Sequence, residues 1–327
     1  MSFFPETIVI TGPTATGKTA LAVKLAQIFD GEIVSVDSRQ VYRHMDIGSG
    51  KDLSEYGCVP YHLIDVADPG TVFDLFSFVP QAFEAVMDIA RRGKLPILCG
   101  GSTMYLDALL RGYDLRGAKP DEELRKKLDS LSLPELNEYL NKLAPPDLMD
   151  FKERDNPLRV RRAIENTLVC RRALNQTRSG GLLDNALILG VYYPRQEVHA
   201  RVELRLDERL HHGMIEEIRD LHEKYHVPYE NLERYGLEYK FVSLYLQNVM
   251  DFATMRDQLL FAIRKFVKRQ DIWFRKMERE GVNIHWLMRG NLSEAQSLVR
   301  KFLNNEDLPA SPIKLSETFY GNHQTSK

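Results

Sequence analysis

Eight residues near the start of the chain, Gly12-Pro13-Thr14-Ala15-Thr16-Gly17-Lys18-Thr19, fit the spacing G-x-x-x-x-G-K-[ST]. That spacing does one kind of chemistry: it holds a di- or triphosphate. The glycines let the backbone curl until its amides face an anion, and the helix that follows adds partial positive charge at its N-terminus. Lys18 reaches the outer phosphates, and the Thr19 hydroxyl holds Mg²⁺. A second group follows. The apolar run Glu32-Ile33-Val34-Ser35-Val36 ends in Asp37, then Ser38-Arg39-Gln40. Two roles are open for Asp37, a Walker-B-like metal ligand or a general base, with a turn cap as the plain alternative. Phosphate binding alone does not name a reaction, because kinases, hydrolases and transferases share the loop.

These residues need elements to position them. Thr7–Thr11 is short, apolar and β-branched, which predicts a buried strand leading into the loop. Leu21, Ala22, Leu25, Ala26 and Phe29 recur at helical spacing and predict a helix over Lys18–Phe29. Further strands are expected at Glu32–Val36, Tyr61–Asp65, Leu95–Cys99, Ala186–Tyr193 and Asn283–Trp286. Helices are expected at Leu75–Arg92, Thr103–Arg111, Arg195–His211, Met214–Tyr225 and Met255–Arg279. Alternation of this kind implies an α/β fold of the phosphate-loop type, a parallel sheet with helices on both faces. In such sheets the carboxyl ends of the strands carry the site, so Asp37 shares an edge with the phosphate loop. Gly100-Gly101-Ser102, after the Leu95–Cys99 strand, belongs to that edge too.

The expected domains are a first part of the core over 1–118, a helical insertion over 119–181, completion of the core over 182–304, and a loosely ordered tail over 305–327. The insertion is punctuated by Pro120, Pro134, Pro145-Pro146 and Pro157, and ends in Ser179-Gly180-Gly181. The tail is polar, with Pro309 and Pro312.

The 327 residues carry a net charge of −2 and an apolar fraction of 43%, values of a globular protein and not of a bulk polyanion binder. Charge is nonetheless unevenly spread. Residues 152–178 hold eight Lys/Arg against three Asp/Glu, and residues 264–279 hold seven against two. A basic face on a helix suits a polyanion, and equally suits solvation. No apolar run approaches the roughly 18 residues of a membrane span, and no membrane association is expected. The segment Met1–Ile10 lacks a basic region, so no signal peptide is read there. Three scattered cysteines, Cys58, Cys99 and Cys170, make no disulfide or zinc pattern, which points to the cytoplasm. His211, His212, His222 and His226 lack the partners of a metal site and are read as surface histidines.

Beyond these separate readings, about residues 7–290 resemble the tRNA dimethylallyltransferase (tRNA isopentenyltransferase) family. The resemblance rests on GPTATGKT, on SVDSRQVYRHMDIG at Ser35–Gly48, and on YHLIDVADP at Tyr61–Pro69. It continues in LPILCGGSTMYLDALLRG at Leu95–Gly112, Lys268-Arg269-Gln270, Trp273 and His285-Trp286-Leu287. It implies transfer of a dimethylallyl group from dimethylallyl diphosphate to the exocyclic amine of the adenosine 3′ to the anticodon. The phosphate loop would hold the leaving diphosphate with Mg²⁺, Asp37 would match the proposed base, and Thr14 would lie near the reacting centre. The tRNA anticodon stem-loop would be the partner. By position it would be contacted by Asp37, Ser38, Arg39, Gln40, Ser102 and Arg125, by Leu158, Arg159, Val160, Arg161 and Arg162, and by Arg264, Lys265, Lys268, Arg269 and Gln270. A monomer is expected. Free-nucleotide isopentenyl transfer and an ATP-dependent small-molecule kinase are the alternatives. The chain departs from the family pattern at Gly48-Ser49-Gly50-Lys51-Asp52 in place of GTAKP, at Asp155-Asn156 in place of Asn-Asp, at Ile263-Arg264-Lys265 in place of Thr-Arg-Gln, and at Glu238-Tyr239 in place of a glycine-tyrosine pair.

Overall fold

In the computed structural model of the chain, described for residues 4–112, 122–145, 148, 151–170 and 181–318, the first strand runs through the middle of the molecule's sheet. Strands β1 (Thr7–Thr11), β2 (Gly31–Ser35), β3 (Tyr61–His62), β4 (Leu95–Cys99), β5 (Ala186–Tyr192) and β6 (His285–Met288) order as β3-β2-β4-β1-β5-β6. Every pairing is parallel, with Ile8 opposite Ile97 on one side and Leu187 on the other. All five residues of β1, β2 and β4 are buried, as continuous apolar runs in a sheet covered on both faces require.

Helices α1 (Lys18–Phe29), α2 (Leu75–Arg91) and α3 (Thr103–Arg111) follow strands of the first half. The chain divides into two compact units, one built from the segments up to Leu110 and from Leu182 onward, the other spanning Arg111–Gly181. The second unit carries α4 (Glu122–Asp129), α5 (Leu133–Leu143) and α6 (Pro157–Cys170). Its own core is Leu128, Leu136, Leu140, Val160, Ala163 and Ile164. Ser132 and Glu135 form a capping box at the start of α5. Asn156 caps α6, its Oδ1 accepting from the amides of Leu158 and Arg159, with Pro157 as first helical residue. Pro120, Pro146, Ser179 and Gly180 lie outside the described residues.

The first unit continues with α7 (Arg195–His211), α8 (Met214–Glu223), α9 (Tyr229–Leu232), α10 (Leu237–Leu246), α11 (Phe252–Arg279) and α12 (Leu292–Leu303). One apolar cluster joins α1 and α12 to the sheet through Ile8, Ile10, Leu25, Ile33, Ile97, Leu189 and Leu298. A second, separate cluster joins α7, α8, α10 and α11 through Val202, Leu206, Ile218, Val242, Leu259 and Ile263.

Differences from the sequence expectation are local. The third strand stops at His62, because Leu63 and Asp65 adopt positive φ (61° and 57°) and turn the chain out of the sheet. The sixth strand lies at His285–Met288, two residues later than its apolar pattern suggested. Residues 305–318, expected to be loosely ordered, make specific contacts. Glu278 accepts from the amides of Leu315 and Ser316, and Arg275 donates to the Thr318 carbonyl. Residues 319–327 lie outside the described residues.

Candidate active site

The loop after β1 takes the shape its glycines allow. Gly12 has φ 139°, and a Cβ there would come within 2.7 Å of the Val191 carbonyl oxygen on β5. Gly17 is left-handed at the start of α1, so the first amides of that helix open toward the loop. Thr16 Oγ1 and Lys18 Nζ both donate to the Pro13 carbonyl, at 2.8 and 2.7 Å. Lys18 is thus folded back across the loop it would serve. Burial pushes its pKa down to about 8; Cys99 and Asp37 oppose that, and the Arg205 guanidinium adds to it.

Asp37 follows β2 after one further residue, Val36. Its Oδ1 accepts from the amides of Arg39 (2.8 Å) and, weakly, Gln40 (3.4 Å), the geometry of an Asx turn. The turn reading of this residue is therefore met by its geometry. Its second carboxylate oxygen makes no hydrogen bond among the described residues, and the side chain lines the same cavity as Thr14, Lys18 and Thr19. That cavity holds about 230 Å³.

The third strip of the rim comes from β4. A Cβ on Gly100 would overlap the Val36 carbonyl, so only glycine lets the ends of β2 and β4 meet here. Ser102 Oγ then accepts from the Ser38 amide at 3.0 Å, tying the two loops together. Gln40 is held between Ser35 Oγ (2.7 Å) and the Gly50 carbonyl (3.0 Å).

Gln270, expected in an RNA-contacting run, is 3% exposed and does something else. Its Oε1 accepts from the Thr14 amide (3.0 Å) and its Nε2 donates to the Gly101 carbonyl (2.9 Å). One side chain on α11 thus braces the phosphate loop against the β4 loop. The neighbouring Ile263 and Val267 are core residues of the helical cluster.

The cations on α11 separate into two kinds. Arg264 pairs with Glu203 at 2.8 Å, whereas Lys265 and Lys268 are exposed and form no ion pair among the described residues. Arg269 is exposed and lies over the Phe266 ring at 5.7 Å. In the insertion, Val160 is fully buried in that unit's core, so the expectation that it contacts RNA is corrected: a side chain packed against Leu136 and Leu140 has no free face. Leu158 is exposed. Arg125 and Arg162 both reach the buried Glu165, Arg159 pairs with Glu153, and Arg161 with Asp129. All four keep acidic neighbours; the exposed pairs among them add at most about 1 kcal/mol each to stability.

Sequence reasoning passed over Arg205 and Arg209, which line the cavity, and the side chains that hold the segments around it. Arg201, Arg205 and Arg209 repeat every fourth residue on α7. Arg201 Nε donates to the Ala15 carbonyl (2.7 Å), and Arg205 pairs with Asp52 (2.8 Å). Glu217 accepts from the amides of Asp46 (2.8 Å), Ile47 (2.5 Å) and Gly48 (3.0 Å), holding the Gly48–Asp52 loop against α8. Lys51 is fully buried and spans Tyr42, Asp46 and Asp65. The i, i+4, i+8 spacing of the three arginines is the one signal that pointed to this wall.

No group of three or more His, Cys, Asp or Glu side chains is arranged for a metal among the described residues. His212 and His222 instead meet the carbonyls of Glu208 and Val227. No described helix is long and apolar enough to cross a membrane.

A phosphate loop facing a carboxylate across one cavity, at the carboxyl edge of a parallel sheet, defines a phosphate-loop α/β protein built for group transfer. Comparison narrows the class. The family model for IPP transferase matches residues 40–277, and that for isopentenyl transferase matches residues 5–56. The tRNA dimethylallyltransferase 2 of Syntrophotalea carbinolica is 44% identical over 301 residues, 91% of this chain and 98% of that one. The crystal structure of the tRNA isopentenylpyrophosphate transferase of Bacillus halodurans matches with a TM-score of 0.67 at 29% identity, covering 92% of this chain and 97% of that one. A eukaryotic dimethylallyltransferase solved acting on tRNA matches at a TM-score of 0.80 and 24% identity, covering 93% and 81%, a likeness of fold. The chain belongs to the tRNA dimethylallyltransferase family.

Proposed function

We propose that this protein transfers the dimethylallyl group of dimethylallyl diphosphate to the exocyclic amine of the adenosine 3′-adjacent to the anticodon of tRNA. The observation that carries the reading is the shared cavity: Lys18 and Thr19 on one wall, the open oxygen of Asp37 on another. A diphosphate in the loop puts its allylic carbon into the space Asp37 faces. The amine nitrogen attacks that carbon as the carbon–oxygen bond breaks. The bonding pair leaves on the diphosphate, and the amine proton passes to Asp37.

Each residue then has a physical task. Adenine's exocyclic amine is a weak nucleophile because its lone pair is delocalised into the ring, so a base within reach helps. Charge grows on the bridging oxygen of the leaving group, where Lys18 and the amides of the Gly12–Thr19 loop neutralise it without reorganising. Gln270 fixes Thr14 against the Gly101 loop, and with it the mouth of the phosphate site. Ser38, Arg39, Gln40 and Ser102 rim the cavity on the side from which a base would enter. The base must leave its stack to do so. Exposed Lys265, Lys268 and Arg269, with Arg159 and Arg161 in the insertion, supply cations for the stem-loop backbone.

Mg²⁺ fits this site in a limited way. It keeps several waters and is held by one or two protein groups plus substrate phosphates. The Thr19 hydroxyl, lining the cavity, suits such a sparse donor set and leaves the Asp37 carboxylate free for the proton. When bound, the ion would offset charge on the departing diphosphate.

The test is direct. Purified protein, dimethylallyl diphosphate, Mg²⁺ and a synthetic anticodon stem-loop should give an adenosine heavier by one C₅H₈ unit, at the position after the anticodon. Product on AMP and none on the stem-loop would replace this reading by free-nucleotide transfer.

A further inference from the structure

Two of the places where the chain departs from its family's sequence pattern, Gly48–Asp52 and Glu238, meet in one wall of the cavity. At Gly50 a Cβ would overlap the Arg209 guanidinium, so a glycine here is what admits that arginine. Asp52, in the same loop, takes Arg205 at 2.8 Å. Glu238, on α10, faces Arg209 at 4.0 Å. That separation is too long for a hydrogen bond. Arg209 Nη2 is enclosed with no hydrogen-bond partner among the described residues, and Nη1 donates to the Gly48 carbonyl at a long 3.5 Å. Apart from its own backbone amide, the Glu238 carboxylate has no hydrogen-bond partner among the described residues, and it stays partly open to the cavity. A buried ion pair with this much unmet capacity is costly for the protein to keep.

The position of the pair says what it faces. Beside the main cavity, against Thr14 and Ala15, is a small niche walled by Val202, Leu206 and Ile263. Arg209 and Glu238 line both spaces, whereas Asp37, Ser38, Arg39, Gln40 and Ser102 line the main cavity alone. The niche is therefore on the phosphate-loop side, where the five-carbon tail of a bound donor lies, and away from the entry of the base. Its apolar wall suits a hydrocarbon. Its polar wall does not. A group that donates to a carboxylate and accepts from a guanidinium is a hydroxyl.

We propose that the pair reads a hydroxyl at the far end of the donor tail, so that the site uses a hydroxylated five-carbon allylic diphosphate as well as dimethylallyl diphosphate. The inference rests on the prenyl-transfer reading of the same cavity. The step is unchanged: nitrogen–carbon bond made, carbon–oxygen bond to diphosphate broken, amine proton taken by Asp37. The distal hydroxyl is carried across intact, with no oxidant or reductant needed.

A competition experiment tests it. Dimethylallyl diphosphate and its 4-hydroxylated analogue, each geometric isomer in turn, are mixed in equal amounts with one protein sample and the stem-loop. The two products are measured by mass spectrometry. Because both donors meet the same molecules, the ratio of kcat/KM values is independent of how much protein is folded. For one isomer the unaltered protein should use the hydroxylated donor at least as well as the plain one. The paired variant Arg209→Met/Glu238→Gly removes both charges together and leaves neither orphaned. It should shift the ratio toward dimethylallyl diphosphate by about 10- to 100-fold, the discrimination a hydroxyl-binding site loses with its polar groups. Glu238→Gln, which keeps the shape and can still accept from a hydroxyl, should shift it less. An unchanged ratio in the paired variant overturns the inference and leaves prenyl transfer standing, as does a change confined to the KM for the stem-loop. Transfer from neither donor overturns both.

Discussion

Replacing Gln270 by leucine tests whether the brace on α11 sets up the phosphate site. The side chain is nearly isosteric and remains apolar enough for its 3% exposed position, so no large cavity opens. What is lost is the acceptor for the Thr14 amide and the donor to the Gly101 carbonyl, at 3.0 and 2.9 Å. A buried polar group left without a partner costs about 1–3 kcal/mol. Both groups border the cavity, where water can reach them, so the lower end applies to each and the sum is about 2 kcal/mol. The midpoint of urea unfolding should fall accordingly with an unchanged slope. The catalytic consequence is larger for the donor than for RNA: a loosened Thr14 misplaces the diphosphate, and a misplaced reacting atom costs up to about 100-fold. Steady-state kinetics should show a lower kcat/KM for dimethylallyl diphosphate with a nearly constant KM for the stem-loop. Reduced stem-loop affinity with normal donor kinetics would refute the brace and return Gln270 to RNA contact.

Further outcomes follow from the same geometry. Burial holds the Lys18 pKa at about 8, so the cation is lost as pH rises through that value, and kcat/KM for the donor should decline above pH 8 toward one decade per unit; a flat profile to pH 9.5 removes Lys18 from the diphosphate. Gly100→Ala drives a Cβ into the Val36 carbonyl and should destabilise by roughly 1–3 kcal/mol, seen as a lower melting temperature. Lys268→Ala should weaken stem-loop binding and reduce the slope of log affinity against log salt by about 1. Val160→Ala, on the same footing, should lower stability by about 1–3 kcal/mol and leave that slope alone, because the side chain is inside the insertion's core.

The phosphate loop, Asp37 and the order of strands and helices were legible because each is a local pattern: a glycine spacing, an apolar run ending in a carboxylate, a switch between periods of two and 3.6. The brace was not. Gln270 lies 256 residues from Thr14, and only the packing of α11 brings them together. Val160 looked like part of a basic run because its neighbours are arginines; helical phase turns it the other way. Arg205 and Arg209 alternate along α7 with Glu203, Asp207 and Glu208, and only the fold shows that their side chains face the Gly48–Asp52 loop. The GSGKD and Glu238 departures stood out singly in the chain; that Gly50 leaves room for Arg209, and that Arg209 faces Glu238, is visible only in three dimensions.

In the proposed reaction Asp37 takes the proton from the amine, in a cavity it shares with the phosphate loop. Asp37→Asn tests it most directly. The amide oxygen can still accept from Arg39 and Gln40, so the turn at the end of β2 persists. The measurement is a single turnover with saturating dimethylallyl diphosphate, Mg²⁺ and stem-loop. Binding of both substrates should be unchanged and the rate lower by about 10² to 10⁴, the usual contribution of a positioned base. A near-normal single-turnover rate would contradict it.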